Sequence, residues 1–190
     1  MQTSENIIII DADYADSVAF DLTVNFERML ERRIDKADLP LWLDCVALDG
    51  GLREGENSVQ VVLIHEKGKL AMDNFMPDKF EELTGKAFKD HLGEFAITAV
   101  QTEDMAPKGQ LLCDVVKTAC ALDNVKRIVI VPDTEYYNDV RNALRQADDE
   151  KRITVLAMQP MPGGNFKQEI LGYSLMQALG IRSDEIRTDN

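Results

Sequence analysis

The sequence predicts an α/β protein, a three-layer α/β/α sandwich around a mainly parallel sheet of about five strands. Three observations lead there. Ile7 to Ile10 are four β-branched apolar residues in a row, the composition of a strand buried on both faces. Similar apolar runs recur at Val59–His65, Phe95–Val100, Arg127–Val131 and Ile153–Ala157. Between most of them apolar residues repeat at helical spacing, and strands separated by helices imply right-handed crossovers and a sheet covered on both sides.

Each element has its own signals. After the isoleucine strand, Val18, Leu22, Phe26, Met29, Leu30 and Ile34 recur at helical spacing, with Glu27, Arg28, Glu31, Arg32 and Arg33 on the other face and Asp16 or Ser17 as N-cap. Pro40 and the apolar segment 41–48 predict a short second helix stopped by Gly50-Gly51, and Arg53 to Asn57 a polar loop. Glu66-Lys67-Gly68-Lys69 predicts a turn after the Val59 strand. The charged stretch Lys79–Lys89 reads as a surface helix. Leu111, Leu112, Val115, Val116, Ala119 and Leu122 form one helix face, and Tyr136, Tyr137, Val140, Ala143, Leu144 and Ala147 another. Phe166, Ile170, Leu171, Leu175 and Leu179 complete a last helix, with Asn165 as its N-cap. The expectation is one domain over 1–181 and a loose tail over 182–190.

Composition narrows the function classes. At 190 residues and 45% hydrophobic content the chain can bury a full core without metal or disulfide. Cys45, Cys113 and Cys120 show no CxxC spacing and read as reduced core residues. No apolar run reaches the roughly 18 residues of a membrane span, and no charged n-region leads into an apolar h-region, so a soluble cytoplasmic protein is expected. A net charge of −13 opposes non-specific attraction to phosphate backbones, so any contact with RNA must use a local basic patch.

The candidate chemistry lies at two strand ends. Asp11 and Asp13 follow the isoleucine strand and Asp133 follows Ile128-Val129-Ile130-Val131-Pro132, so a sheet that makes these strands neighbours gathers three carboxylates at one edge. Carboxylate oxygens are the hard ligands that Mg²⁺ or Mn²⁺ prefers, and a metal so held activates water or neutralises phosphate. The structural alternative is that Asp133 or Thr134 caps the next helix while Asp11 and Asp13 accept loop amides. Lone His65 and His91 lack a partner at ligand spacing, and Trp42, Tyr136 and Tyr137 lie on apolar helical patterns as core residues. Pro162-Gly163-Gly164-Asn165 lacks the Lys-Ser/Thr of a phosphate-binding loop and reads as a turn.

Asp11 on the first strand, Lys108-Gly109 with Asp114 in a crossover helix, and Asp133-Thr134-Glu135-Tyr136 after a hydrophobic strand resemble the NYN branch of the PIN-like ribonucleases, with the last segment at the family's Ser-Gly-Asp-x-Asp-Phe loop. That resemblance implies a Rossmann-like α/β/α domain and Mg²⁺- or Mn²⁺-dependent phosphodiester cleavage, with Asp11, Asp13 and Asp133 as ligands and Asp114 as a fourth acid. Pro132 stands where the family has Gly, Glu135 replaces its second Asp, and Leu111 stands where an acid follows the Lys-Gly pair. The competing expectation is a catalytically silent descendant that keeps the scaffold for protein interaction, as a homodimer or with another partner. Ile7–Asp13 also resembles the first motif of haloacid dehalogenase-type phosphatases, which implies Asp11 as nucleophile and Asp13 as general acid. Tyr14 and an immediate helix follow here, where that family has a small residue, Thr or Val, and then a flap.

Overall fold

The structure, a computed structural model, describes residues 4–186. Its centre is strand β1 (Asn6–Asp11), buried from Ile7 onward. The strand pairs in parallel with β3 (Asn57–His65) on one side and β7 (Arg127–Val131) on the other, with Ile10 opposite Leu63 and Val131. β6 (Gly93–Gln101) extends the sheet beyond β3, and β8 (Arg152–Ala157) extends it beyond β7. Both pairings are parallel.

Side chains alternate across this sheet with period two, and the isoleucine run therefore feeds two cores. Ile8 and Ile10 join a cluster made with helices α1 (Ala12–Leu30), α2 (Leu39–Asp49) and α6 (Leu171–Ala178). Ile7 and Ile9 join the opposite cluster, made with α4 (Lys108–Ala121) and α5 (Tyr137–Leu144). Helices on both faces give the three layers, and each fully buried isoleucine contributes about 1.5–3 kcal/mol. In the first core Trp42 donates its indole N–H to Ser174 Oγ at 3.1 Å and packs on Phe75 with centroids 5.1 Å apart. All three cysteines are free and buried, and burial pushes the Cys45 thiol up to about 11. Among the described residues no helix is long and apolar enough to cross a membrane.

Several elements differ from the sequence expectation. Among the described residues the sheet has seven strands, in the order β5 (Ala87–Asp90)-β6-β3-β1-β7-β8-β9 (Lys167–Ile170), and not about five. The stretch 79–89 is not a surface helix: one helical turn, α3 (Phe80–Leu83), leads into edge strand β5 (Ala87–Asp90), antiparallel to β6. Its Phe88 stacks on Phe95 at 4.8 Å, a cross-strand contact that outweighs the helix propensity of the neighbouring lysines. At the other edge Lys167–Ile170 forms β9 on β8, so the last helix starts at Leu171 and Asn165 caps nothing. A separate two-residue pair joins β2 (Ala37–Asp38) to β4 (Phe75–Met76).

α1 begins at Ala12, six residues before Val18, because Asp11 accepts the Tyr14 N–H at 3.0 Å and caps the helix at the strand's last residue. Asp16 and Ser17 are not its caps. The Asp16 carboxylate accepts the Asn74 amide at 2.8 Å, and Ser17 Oγ donates to the Tyr14 carbonyl. Glu31, left-handed at φ 53, ends the helix, so Ile34 reaches the core from a loop. At the chain end, Ser183–Ile186 forms a single turn, α7, where Glu185 pairs with Arg32 at 2.8 Å. The rest of the expected tail, 187–190, lies outside the described residues.

Candidate acidic site at the switch point of the sheet

From β1 the chain builds the sheet outward through β3 and β6, then returns to β1 and builds the other way through β7, β8 and β9. This reversal opens a crevice beyond the carboxyl ends of β1 and β7, the place where open α/β sheets bind ligands. Asp11 ends β1, Asp13 lies in the first turn of α1, and Asp133 follows β7 after Pro132.

The crevice holds an ion-pair centre. Lys108, first residue of α4, places its Nζ 3.1 Å from Asp11 Oδ1 and 3.4 Å from Asp13 Oδ2. All three side chains are largely buried. Asp13 Oδ2 also accepts the Glu66 N–H at 2.7 Å, which ties the centre to the end of β3. Burial pushes the Asp11 carboxyl above the usual range, against the pull of the Tyr14 amide and of Lys108. Burial likewise works against the Lys108 ammonium, but Asp11 and Asp13 outweigh it and hold its pKa above the ordinary lysine value. Burial thus works against the charge on both partners, and their mutual contact opposes it. Asp11 Oδ2 remains buried with no hydrogen-bond partner.

Two aromatic residues close the rim. Tyr14 hydroxyl lies 3.0 Å from Thr134 Oγ1 and links α1 to the segment after β7. The Tyr136 ring lies over Gly109, where an added Cβ would stand 2.1 Å from Cδ1, so any side chain beside Lys108 would have to displace the ring.

The expected acids are divided by this geometry. Asp11 and Asp13 meet at Lys108. Asp133 is half-buried and accepts the Glu135 N–H at 3.0 Å, capping the 3₁₀ turn Thr134–Tyr136. Asp114 is exposed on α4, where it lines a groove of about 520 Å³ with Lys117 and Asp139 of α5. Among the described residues, three donor atoms come within 4.8 Å of one another at Asp44, Asp90 and His91, not at Asp11, Asp13 and Asp133. The donor set at the crevice, with an ammonium between two of its three acids, does not fit a divalent ion in this arrangement.

Lys108 is the residue that sequence reasoning placed in a motif without a role. Its signal was a lysine at a helix start, where the macrodipole disfavours a cation and only nearby carboxylates compensate. His65 is buried and stacked on Phe80 at 3.8 Å, and Tyr137 is a core residue. A family model described as "Family of unknown function (DUF6621)" matches residues 1–186. No curated protein and no solved structure matches the chain.

Proposed function

We propose that this chain, which belongs to the DUF6621 family, is a catalytically silent PIN/NYN-like domain that works by binding a protein partner. One observation carries this reading: the Lys108 ammonium lies between Asp11 and Asp13, where a divalent cation would have to sit. Leu111, where PIN/NYN-like ribonucleases carry an acid after the Lys-Gly pair, agrees with it. The second half of α1 supplies a surface for a partner. Phe20 and Val24, one turn apart on the same face, are 54% and 46% exposed, and no residue of α1 after Ala19 is buried. A second copy of the chain is the first partner to test.

A Mg²⁺- or Mn²⁺-dependent nuclease stands second, favoured by the unpartnered Asp11 Oδ2, which an added cation would satisfy. For it to operate, Lys108 has to leave the two carboxylates. The phosphatase alternative is weakened by α1, which starts at Ala12 and leaves no length for a flap.

Calorimetry with Mn²⁺ and a single-stranded RNA cleavage assay separate these functions, with gel filtration reporting self-association. The silent domain gives no divalent-ion binding and no cleavage, and Lys108→Ala gains Mn²⁺ binding. Mn²⁺-dependent cleavage by the wild type that vanishes in the Asp11→Asn, Asp133→Asn double variant would establish the nuclease.

A further inference from the structure

The opposite, amino-terminal edge of the sheet carries a feature that the acidic centre does not use. A cleft of about 1090 Å³ opens there, between the loop after α2 and the starts of β1, β7, β8 and β9. Arg53, Lys126, Arg127, Arg152 and Lys167 line it, against three carboxylates, Glu5, Glu54 and Glu150. The excess among the lining residues is two positive charges, one of them offset where Lys167 pairs with Glu169 at 3.1 Å, in a chain of net charge −13.

Two of the cations stand side by side. Arg127 and Arg152 are register partners on neighbouring strands β7 and β8, and like charges directly opposite across a sheet are destabilising. Among the described residues, none of Arg53, Lys126, Arg127 and Arg152 has a carboxylate oxygen within 4.0 Å. Neutral acceptors hold the half-buried Arg127 guanidinium instead: Nη1 donates to the Gly50 carbonyl at 2.6 Å and Nε to Asn6 Oδ1 at 3.3 Å. Gly51, with φ +88, brings the loop close to the same guanidinium, and a Cβ there would stand 2.9 Å from Nη1. Burial, and then Arg152, lower the Arg127 pKa, so the pair costs stability as it stands.

We propose that this cleft binds the di- or polyphosphate group of a small molecule, with the Arg127–Arg152 pair as its anchor. Paired guanidinium forks match phosphate oxygens in geometry and charge, and an anion between them converts their repulsion into attraction. The volume suits a ligand of nucleotide size. No aromatic side chain lines the cleft, so recognition falls on the phosphates and not on a stacked base. The patch is short and the rest of the molecule acidic, which favours a compact multivalent anion over an extended RNA backbone that would run onto negative surface. The proposal does not rest on the silence of the acidic centre, which lies at the other end of the strands.

Titration calorimetry of the full chain with inorganic pyrophosphate, tripolyphosphate and orthophosphate, each at low and moderate salt, tests the proposal. The expected result is saturable binding of pyrophosphate and tripolyphosphate, tighter than orthophosphate and weakened by salt. Arg152 and Arg53 are exposed and their replacement leaves the core intact. Arg152→Ala should weaken pyrophosphate about tenfold or more, the Arg53→Ala, Arg152→Ala double variant further, and Lys117→Ala, an exposed cation on α4, not at all. Absence of saturable pyrophosphate binding overturns the proposal. So does binding undiminished in the double variant, equal weakening by Lys117→Ala, or binding of a single-stranded RNA oligonucleotide without binding of pyrophosphate.

Discussion

At the scale of single residues, Lys108 holds the crevice together. It neutralises two acids that the turn from β1 into α1 brings within reach of one ammonium, and its removal leaves both carboxylates desolvated without a counter-ion. Lys108→Met should cost about 3–5 kcal/mol in urea unfolding, since breaking a buried pair strands its partner. Adding Asp11→Asn should return part of that loss, because asparagine still accepts the Tyr14 amide and one of the stranded charges disappears. A double variant no more stable than Lys108→Met alone would show that the Asp11 charge is not what the lysine balances. Beside it, Gly109→Ala forces the Tyr136 ring off the helix and should cost about 1–3 kcal/mol by the same measurement.

At the scale of elements, α1 is two helices in one. Its first two turns bury Ala12, Ala15, Val18 and Ala19, whereas its last three turns pack Leu22, Phe26 and Leu30 only partly against the core and leave Phe20, Val24 and Met29 exposed. If that half carries the partner surface, Phe20→Glu with Val24→Glu, one turn apart on the same face, should abolish self-association in gel filtration while the melting temperature stays within a few degrees of wild type, since exposed substitutions away from the core change stability by about 0.5 kcal/mol or less. An unchanged elution volume for a dimeric wild type would move the interface elsewhere. The edges of the sheet show why their elements were misread. Ala87–Asp90 and Lys167–Ile170 are short, charged and half-exposed, and each becomes a strand because a neighbouring strand offers it hydrogen bonds.

At the scale of the molecule, the acid-rich composition sets the pH dependence. Burial and then Asp90 push the Asp44 carboxyl up to about 7, while burial and then Glu169 push Asp49 up to about 6. Both lie on α2 and ionise more readily in the unfolded chain, near the ordinary carboxylate value. The fold therefore binds more protons than the unfolded chain between pH about 4 and 7, and its stability falls as pH rises through that window. Glu185 acts the other way: its hydrogen bonds with Arg32 pull it down to about 2, a contribution lost as pH falls below its unfolded value. Calorimetric melting should give a Tm that declines from pH 4.5 to 7.5. Asp44→Asn should flatten that decline and raise stability at pH 7.5 by about 1 kcal/mol, a figure discounted for partial exposure. A Tm that rises over this range would contradict it.

The sequence by itself determined the layered α/β architecture and the central position of Ile7–Ile10, because a run of β-branched residues without polar alternation has no stable place except a strand covered on both faces. It also determined that Asp11 at the end of one strand and Asp133 just after another lie on one edge, since parallel crossovers bring every strand's carboxyl end to the same side. What only the tertiary structure decided was where each acid's partners come from. Asp13 and Lys108 are far apart in sequence and meet because α4 starts beside β1, while Asp114, six residues further along the same helix, faces the α5 groove. Arg127 and Arg152 likewise became a pair through the register of β7 on β8, a relation that no local spacing encodes. Periodicity specifies which face of an element is apolar; the neighbour of a charge is set by packing between elements distant in the chain.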